Sequence, residues 1–244
     1  MNLIMTSSLG GASSVDGIRV PSILIEANGL LDKIRTLWPD NARVLMICSA
    51  PSDYEKNDAV IACFSKSLPM SGLSFETLEM CDDRNESIAE TIDQKNVIIL
   101  IGGHVPTQNN FFEKIGLRER LKGYKGLVIA WSAGSMNCAD IVYAGPEFPG
   151  EAIDPEYQRW IPGLGLTDIN IFPHFQSLRE EILDGMRLIE DITFPDSMRH
   201  EIIAMNDGSY IVSDESGETI YGEAYRINNG VMEQICSDGG SVKL

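Results

Sequence analysis

Basic residues are scarce in this chain. Its 244 residues hold 19 Lys and Arg against 36 Asp and Glu, a formal charge of −17. A phosphate backbone is bound by clustered Lys and Arg, so no nucleic-acid partner is expected. An anionic membrane surface is disfavoured for the same reason. Long hydrophobic runs are missing too: Asn96–Ile101 and Gly126–Trp131 are the longest. Both fall far short of the roughly 20 apolar residues that cross a bilayer. The five cysteines, Cys48, Cys63, Cys81, Cys138 and Cys236, are scattered and form no C-x-x-C pair. That pattern argues against a structural zinc site and a disulfide scaffold, and fits a reducing cytoplasm. No Walker or Rossmann glycine loop occurs, so neither cofactor nor metal is expected. The amino terminus, MNLIMTSSLGG, lacks a basic stretch and reads as a first strand, not a signal peptide. Histidine is scarce too, with only His104, His174 and His200.

What is present is an ordinary globular composition, 43% apolar and 23% charged. No repeat or linker divides the chain, so residues 1–244 read as one domain. Short apolar runs alternate with amphipathic stretches. Asn2–Thr6, Ala42–Cys48, Leu73–Met80, Asn96–Ile101 and Gly126–Trp131 read as strands. Pro21–Leu37, Asp53–Leu68, Glu86–Gln94 and Thr107–Ile115 read as helices. Continuous apolar strands spaced by helices predict an α/β fold, a doubly wound, mostly parallel sheet covered on both faces. The segment Ala144–Gly165 carries four prolines and four glycines and reads as an irregular excursion. Leu178–Ile192 has helical spacing, with Leu178, Ile182, Met186, Leu188 and Ile189 on one face. From Glu201 onward, alternation and the turns Asn206-Asp207-Gly208, Glu215-Ser216-Gly217 and Asn228-Asn229-Gly230 predict hairpins appended at the sheet edge. Those hairpins suit an edge covered within one chain or paired in a homodimer.

The segment Gly126–Cys138, GLVIAWSAGSMNC, carries the strongest chemical signal. A buried strand runs directly into Ser132, with Ala130 two residues before and Gly134 two after. That is close to the Gly-x-Ser-x-Gly nucleophile elbow, where a sharp strand-to-helix turn exposes the serine and leaves space only for small neighbours. The following helix would aim free N–H groups and its positive end at the serine. A serine N-cap on an ordinary helix fits the same residues. The preceding strand ends in Gly102-Gly103, whose backbone can approach a ligand closely. The N–H groups of Gly103 and Ala133 are therefore candidates for an oxyanion hole.

A serine nucleophile needs a base. His174, in Ile169–Phe175 (INIFPHF), ends an apolar run between Phe172 and Phe175. His104 follows the glycine turn, and His200 lies among charged residues. The acid that orients the base is open to Glu180, Glu181, Asp184, Asp191, Asp196 and Asp207. Asp207, in AMNDGSY, shares with His174 a position at the end of an apolar strand.

The elbow AWSAGS, the glycine turn before it, the FPHF segment and the AMNDGSY segment occur in one order. Together they resemble the dipeptidase E and cyanophycinase family of serine peptidases, from about Asn2 to Tyr210. The resemblance implies a class I glutamine amidotransferase-like fold and a serine peptidase acting on a small peptide. It maps the nucleophile to Ser132, the base to His174 and the acid to Asp207, with Glu147 as an alternative acid. Where family members commonly read G-G-G-N-T, this chain has Gly102-Gly103-His104-Val105-Pro106-Thr107. A preference for N-terminal aspartyl residues would need a cation, for which Arg159 and Arg179 are the candidates. Three rival readings fit the same residues. An esterase would use His200 with Asp184, Asp191 or Asp196. A glutamine amidotransferase would need a cysteine nucleophile, and the nearest thiol is Cys138. The third is a catalytically silent binding module.

Overall fold

The computed structural model of the protein describes residues 1–15 and 18–244. Five strands run parallel: β1 (Asn2–Thr6), β2 (Arg43–Ile47), β3 (Thr77–Cys81), β4 (Val97–Leu100) and β5 (Leu127–Trp131). Strands β6 (Asn170–Phe172) and β7 (Ile202–Met205) begin a second sheet. Strands β8 (Tyr210–Asp214) and β9 (Gly217–Tyr221) return to the first. Strands β10 (Ala224–Asn228) and β11 (Val231–Cys236) complete the second, and β12 (Ser241–Lys243) closes one edge of the first. The eight-stranded sheet has the order β12-β9-β8-β1-β5-β4-β2-β3, and the four-stranded sheet the order β6-β7-β10-β11. The larger sheet is parallel from β1 to β3 and antiparallel from β1 outward through β8, β9 and β12. Helices α1 (Leu30–Leu37), α2 (Tyr54–Met70), α3 (Val105–Lys114), α4 (Leu117–Leu121), α5 (Ala133–Met136) and α6 (Phe175–Leu178) complete the α/β arrangement.

Strands β4 and β5, inside the parallel run, carry no charged or amide residues because both faces are covered. Every residue of β4 is buried, as are Leu127–Ala130 of β5. Strand β7 shows how the sheets meet. Ile203 and Met205 join the large core, whereas Ile202 and Ala204 join a second apolar cluster with Phe172, Phe175 and Ile192. Alternate residues of a strand face opposite sides, so one strand serves both cores.

Three expectations need correction. The predicted helix Pro21–Leu37 begins only at Leu30. Pro21 instead lies in a strand, Ile18–Leu24, that pairs with Gly10–Val15 and rests against α2. Asn28 and Gly29 adopt left-handed angles, φ 54° and 78°, and no helix propagates through such residues. The predicted helix Leu178–Ile192 is absent as well. Asp184 and Gly185 both have positive φ, 53° and 81°, and turn Ile182–Leu183 back onto Met186–Arg187. That is the two-residue Asp-Gly hairpin, which overrode the helical spacing. A π-helical turn over Leu188–Thr193 follows. Finally, Asn206-Asp207-Gly208 is not a hairpin turn. It carries the chain from β7 in one sheet to β8 in the other, because β7 pairs with β6 while β8 pairs with β1. The excursion after Tyr143 is irregular within, but its base is tied by Ile141–Tyr143 pairing with Trp160–Pro162.

Candidate active site

The carboxyl ends of β1, β4, β5, β6 and β7 converge, and each supplies a group. In open α/β sheets this is where ligands bind. Ser132 follows β5 with φ 52° and ψ −122°. A non-glycine residue at such angles carries strain on the order of 1–3 kcal/mol, a cost that persists only where the surroundings enforce it. They do so here through the neighbouring strand. A Cβ on Gly134 would lie 2.4 Å from the Leu100 carbonyl oxygen, so the turn packs against the end of β4. The small residue after the serine is needed by the adjacent strand more than by the turn itself. Helix α5 is a single turn, so its dipole contributes little, and the Ala133 N–H is what remains of the expected positive end.

His174 follows β6 and is also left-handed, with φ 57°. Its Nε2 lies 3.0 Å from Ser132 Oγ and its Nδ1 2.7 Å from Asp207 Oδ1. With Asp207 ionised, Nδ1 carries the proton and Nε2 is free to accept from the serine hydroxyl. Asp207 follows β7, the parallel neighbour of β6, so the register of these two short strands sets the His–Asp contact. Burial alone would raise the Asp207 pKa. Hydrogen bonds from His174, Ser7 and Gln176, together with the His174 charge, outweigh burial and hold it below the ordinary carboxylate range.

Two polar residues in this network carry no sequence motif. Ser7, just past β1, donates to Asp207 Oδ1 at 2.8 Å and accepts the His174 backbone N–H at 2.7 Å. Gln176 donates to Asp207 Oδ2 at 2.7 Å and accepts the Asp207 N–H at 2.9 Å. Their only signal was position, a polar side chain directly after an apolar strand or two residues after the histidine.

Gly102 and Gly103 bring backbone against the elbow. A Cβ on Gly102 would lie 2.7 Å from the Trp131 ring nitrogen, and one on Gly103 would lie 2.2 Å from Ser49 Oγ. Among the described residues, the Gly103 and Ala133 N–H groups donate to no protein acceptor. His104 does not reach Ser132. Its ring bonds Thr107 Oγ1 at 2.7 Å and Glu151 Oε1 at 3.0 Å, anchoring the excursion.

The remaining candidates lie elsewhere. Glu147 Oε1 accepts the Val105 N–H at 3.1 Å and makes no hydrogen bond to His174. Although the residue keeps exposed surface, its carboxyl faces into the site, and desolvation there raises its pKa to about 7. His200 packs its ring on Trp160, centroids 4.7 Å apart. Asp184 accepts backbone N–H groups from Gly150 and Ala152, and Asp191 is paired with Arg187. Asp196 accepts the Tyr143 hydroxyl. Cys138 is fully buried, donates to the Gly134 carbonyl, and burial pushes its thiol pKa well up. It stands away from the elbow position an amidotransferase would use. Among the described residues, no group of three or more His, Cys, Asp or Glu is gathered to hold a metal ion. No helix among them is long and apolar enough to cross a membrane.

A cavity of about 310 Å³ opens beside Ser132, His174 and Gly103. Its apolar wall is built from Met136, Phe172, Pro173, Leu178, Leu183 and Leu188. Glu147 and Glu181 supply its carboxyl groups, and among the described residues no Lys or Arg lines it. Two braces hold the roof. Glu151 ties the excursion to His104, and Asp184 ties the Ile182–Arg187 hairpin to the excursion at 2.8–3.1 Å.

The geometry can be set beside known proteins. No curated protein matches the sequence. Among solved structures, the chain is similar to a protein from Listeria monocytogenes EGD-e provisionally named a peptidase E. The TM-score is 0.58 at 14% identity, with 96% of this chain and 98% of that one covered, which speaks to the fold. The model of peptidase family S51 matches residues 26–220, a span that includes the elbow, the histidine strand and the crossover turn. The chain therefore belongs to peptidase family S51, a family of serine-type peptidases.

Proposed function

We propose that the protein hydrolyses a small peptide through a Ser132–His174–Asp207 triad and an acyl-enzyme. The observation that carries this reading is the unbroken hydrogen-bond chain from Ser132 Oγ to His174 Nε2 and from Nδ1 to Asp207, at 3.0 and 2.7 Å. His174 takes the hydroxyl proton as Ser132 Oγ attacks the peptide carbonyl. The Gly103 and Ala133 N–H groups, free of protein acceptors, stabilise the oxyanion. His174 then gives its proton to the departing amine, and the C–N bond breaks, leaving the acyl group on Ser132. Water, deprotonated by His174, attacks the ester, and the acid leaves as the serine hydroxyl re-forms. Asp207 fixes the imidazole tautomer and stabilises its cation throughout. The five cysteines are free and buried, which supports a reducing cytoplasm as the setting.

The test is covalent. A fluorophosphonate probe followed by peptide mass spectrometry should place the label on Ser132, and Asp207→Asn should slow labelling by about 10⁴-fold, the scale seen when a triad acid loses its charge. A folded protein unlabelled at Ser132 would favour a silent binding module. Labelling abolished by His200→Ala but kept in His174→Ala would favour the esterase arrangement.

A further inference from the structure

The cavity beside Ser132 has a composition that an aspartyl side chain does not fit. Its wall is apolar, and among the described residues its two ionisable side chains other than His174 are carboxyls and no Lys or Arg lines it. Neither candidate arginine, Arg159 or Arg179, lines it. Arg159 donates to the Ala152 carbonyl at 3.0 Å and lies 3.9 Å from Asp196. Arg179 sits over the Phe175 ring at 5.8 Å. An aspartate carboxylate placed here would lose water, meet no cation and face Glu147 and Glu181.

Glu147 is held firmly for a residue in a loop. Its backbone N–H and that of Phe148 donate to Glu151 Oε2 at 2.8 and 2.9 Å, and Glu151 Oε1 is fixed by His104. One Glu147 oxygen takes the Val105 N–H, and among the described residues the other takes no protein donor. Glu147, His174 and Ser132 line the same cavity. A ligand group beside Glu147 therefore shares that space with the carbonyl that Ser132 attacks. Every unblocked peptide carries one cation at that place, the α-ammonium, two bonds from its first carbonyl carbon.

We propose that this cavity receives the first residue of a peptide with a free amino terminus and an apolar side chain, that Glu147 holds the ammonium, and that aspartyl peptides are rejected. The proposal rests on the Ser132 peptidase reading. Apolar side chains gain by leaving water against Met136, Phe172 and the three leucines. The ammonium gains a charge-assisted hydrogen bond in a partly dry site.

The experiment compares leucyl-, methionyl- and aspartyl-aminocoumarin amides, each with a free or an acetylated amine, on protein whose Ser132 has been shown to take the fluorophosphonate. The leucyl or methionyl amide should exceed the aspartyl amide in kcat/KM by about 100-fold or more, the scale of burying an unpaired charge. Acetylation should lower kcat/KM by about 10- to 100-fold, the worth of a hydrogen bond to a charged group. Glu147→Gln should bring the free-to-acetylated ratio toward one. The acetylation comparison on unmodified protein needs no variant to fold. A faster aspartyl amide, or an acetylated amide cleaved as well as the free one, overturns the proposal. So does failure to cleave any of them by protein that labels at Ser132. Absence of the label overturns the peptidase reading beneath it, a different result.

Discussion

Among the described residues, five non-glycine residues have positive φ: Asn28, Ser132, His174, Asp184 and Asn229. Three are Asn or Asp, which tolerate the left-handed region in turns. The other two are hydrogen-bonded to each other at the strand ends, so strain at the residue scale marks the same spot as the proposed chemistry. Glu147 also departs from its ordinary state. Desolvation raises its pKa to about 7. The Glu151 carboxylate adds to the rise, while the Val105 N–H and His174 oppose it. Glu181 and the Tyr157 hydroxyl also face this region. Because the pKa is raised, the carboxyl is neutral below about pH 7 and anionic above it. A free-amine substrate therefore loses its partner as the pH falls. The ratio of kcat/KM for free-amine over acetylated leucyl amide should fall as pH drops through about 7. Taking the ratio cancels whatever titrates in the triad itself. A ratio flat from about pH 5.5 to 8.5 would contradict this account of Glu147.

At the scale of elements, the decisive contact is between α5 and β4. Gly134 admits the Leu100 carbonyl where any side chain would collide with backbone. Gly134→Ala should destabilise the protein by about 1–3 kcal/mol, the usual range for overpacking. It should also slow fluorophosphonate labelling, because relief of the clash moves Ser132. A thermal melt and a labelling time course check both, and a variant unchanged in each would show that the strand gives way without cost. Much of this was legible in the sequence. The apolar runs Asn96–Ile101 and Gly126–Trp131 are unbroken because both faces are covered, and the small residues around Ser132 record the tight turn. His174 and Asp207 are legible as polar residues at the ends of apolar runs, and the choice of Asp207 among six acids rests on the family resemblance. The second sheet was hidden, since β6 has three residues and a strand that short has almost no period to read. The Ile182–Arg187 hairpin was masked by residues spaced as on a helix, although Asp184-Gly185 is itself a turn signal. That misreading also hid Leu183 as part of the cavity wall. Ser7 and Gln176 had no motif because their role is to hold Asp207, and many polar residues can do that.

For the whole molecule, the charge of −17 takes on a narrower meaning. An acidic body and a cavity holding two carboxyls repel acidic peptides and draw cationic ends, so field and site agree in sign. Architecture adds one more consequence. Ser132 stands on the larger sheet, whereas His174 and Asp207 stand on the smaller one. Each sheet alone carries an incomplete set of reactive groups, and only their contact joins them. Turnover is thus a reporter of assembly. In a urea titration, reactivity at Ser132 should vanish at a lower concentration than the far-ultraviolet circular dichroism of the strands, because a shift of the smaller sheet suffices to part histidine from serine. Coincident transitions would show instead that the two sheets melt as a single cooperative unit. The hydrogen bond between Ser132 and His174 is then also a latch between two sheets. Any ligand that bridges the cavity, with Met136 and Gly103 on one side and Phe172 and Leu188 on the other, would stiffen the protein as well as occupy it.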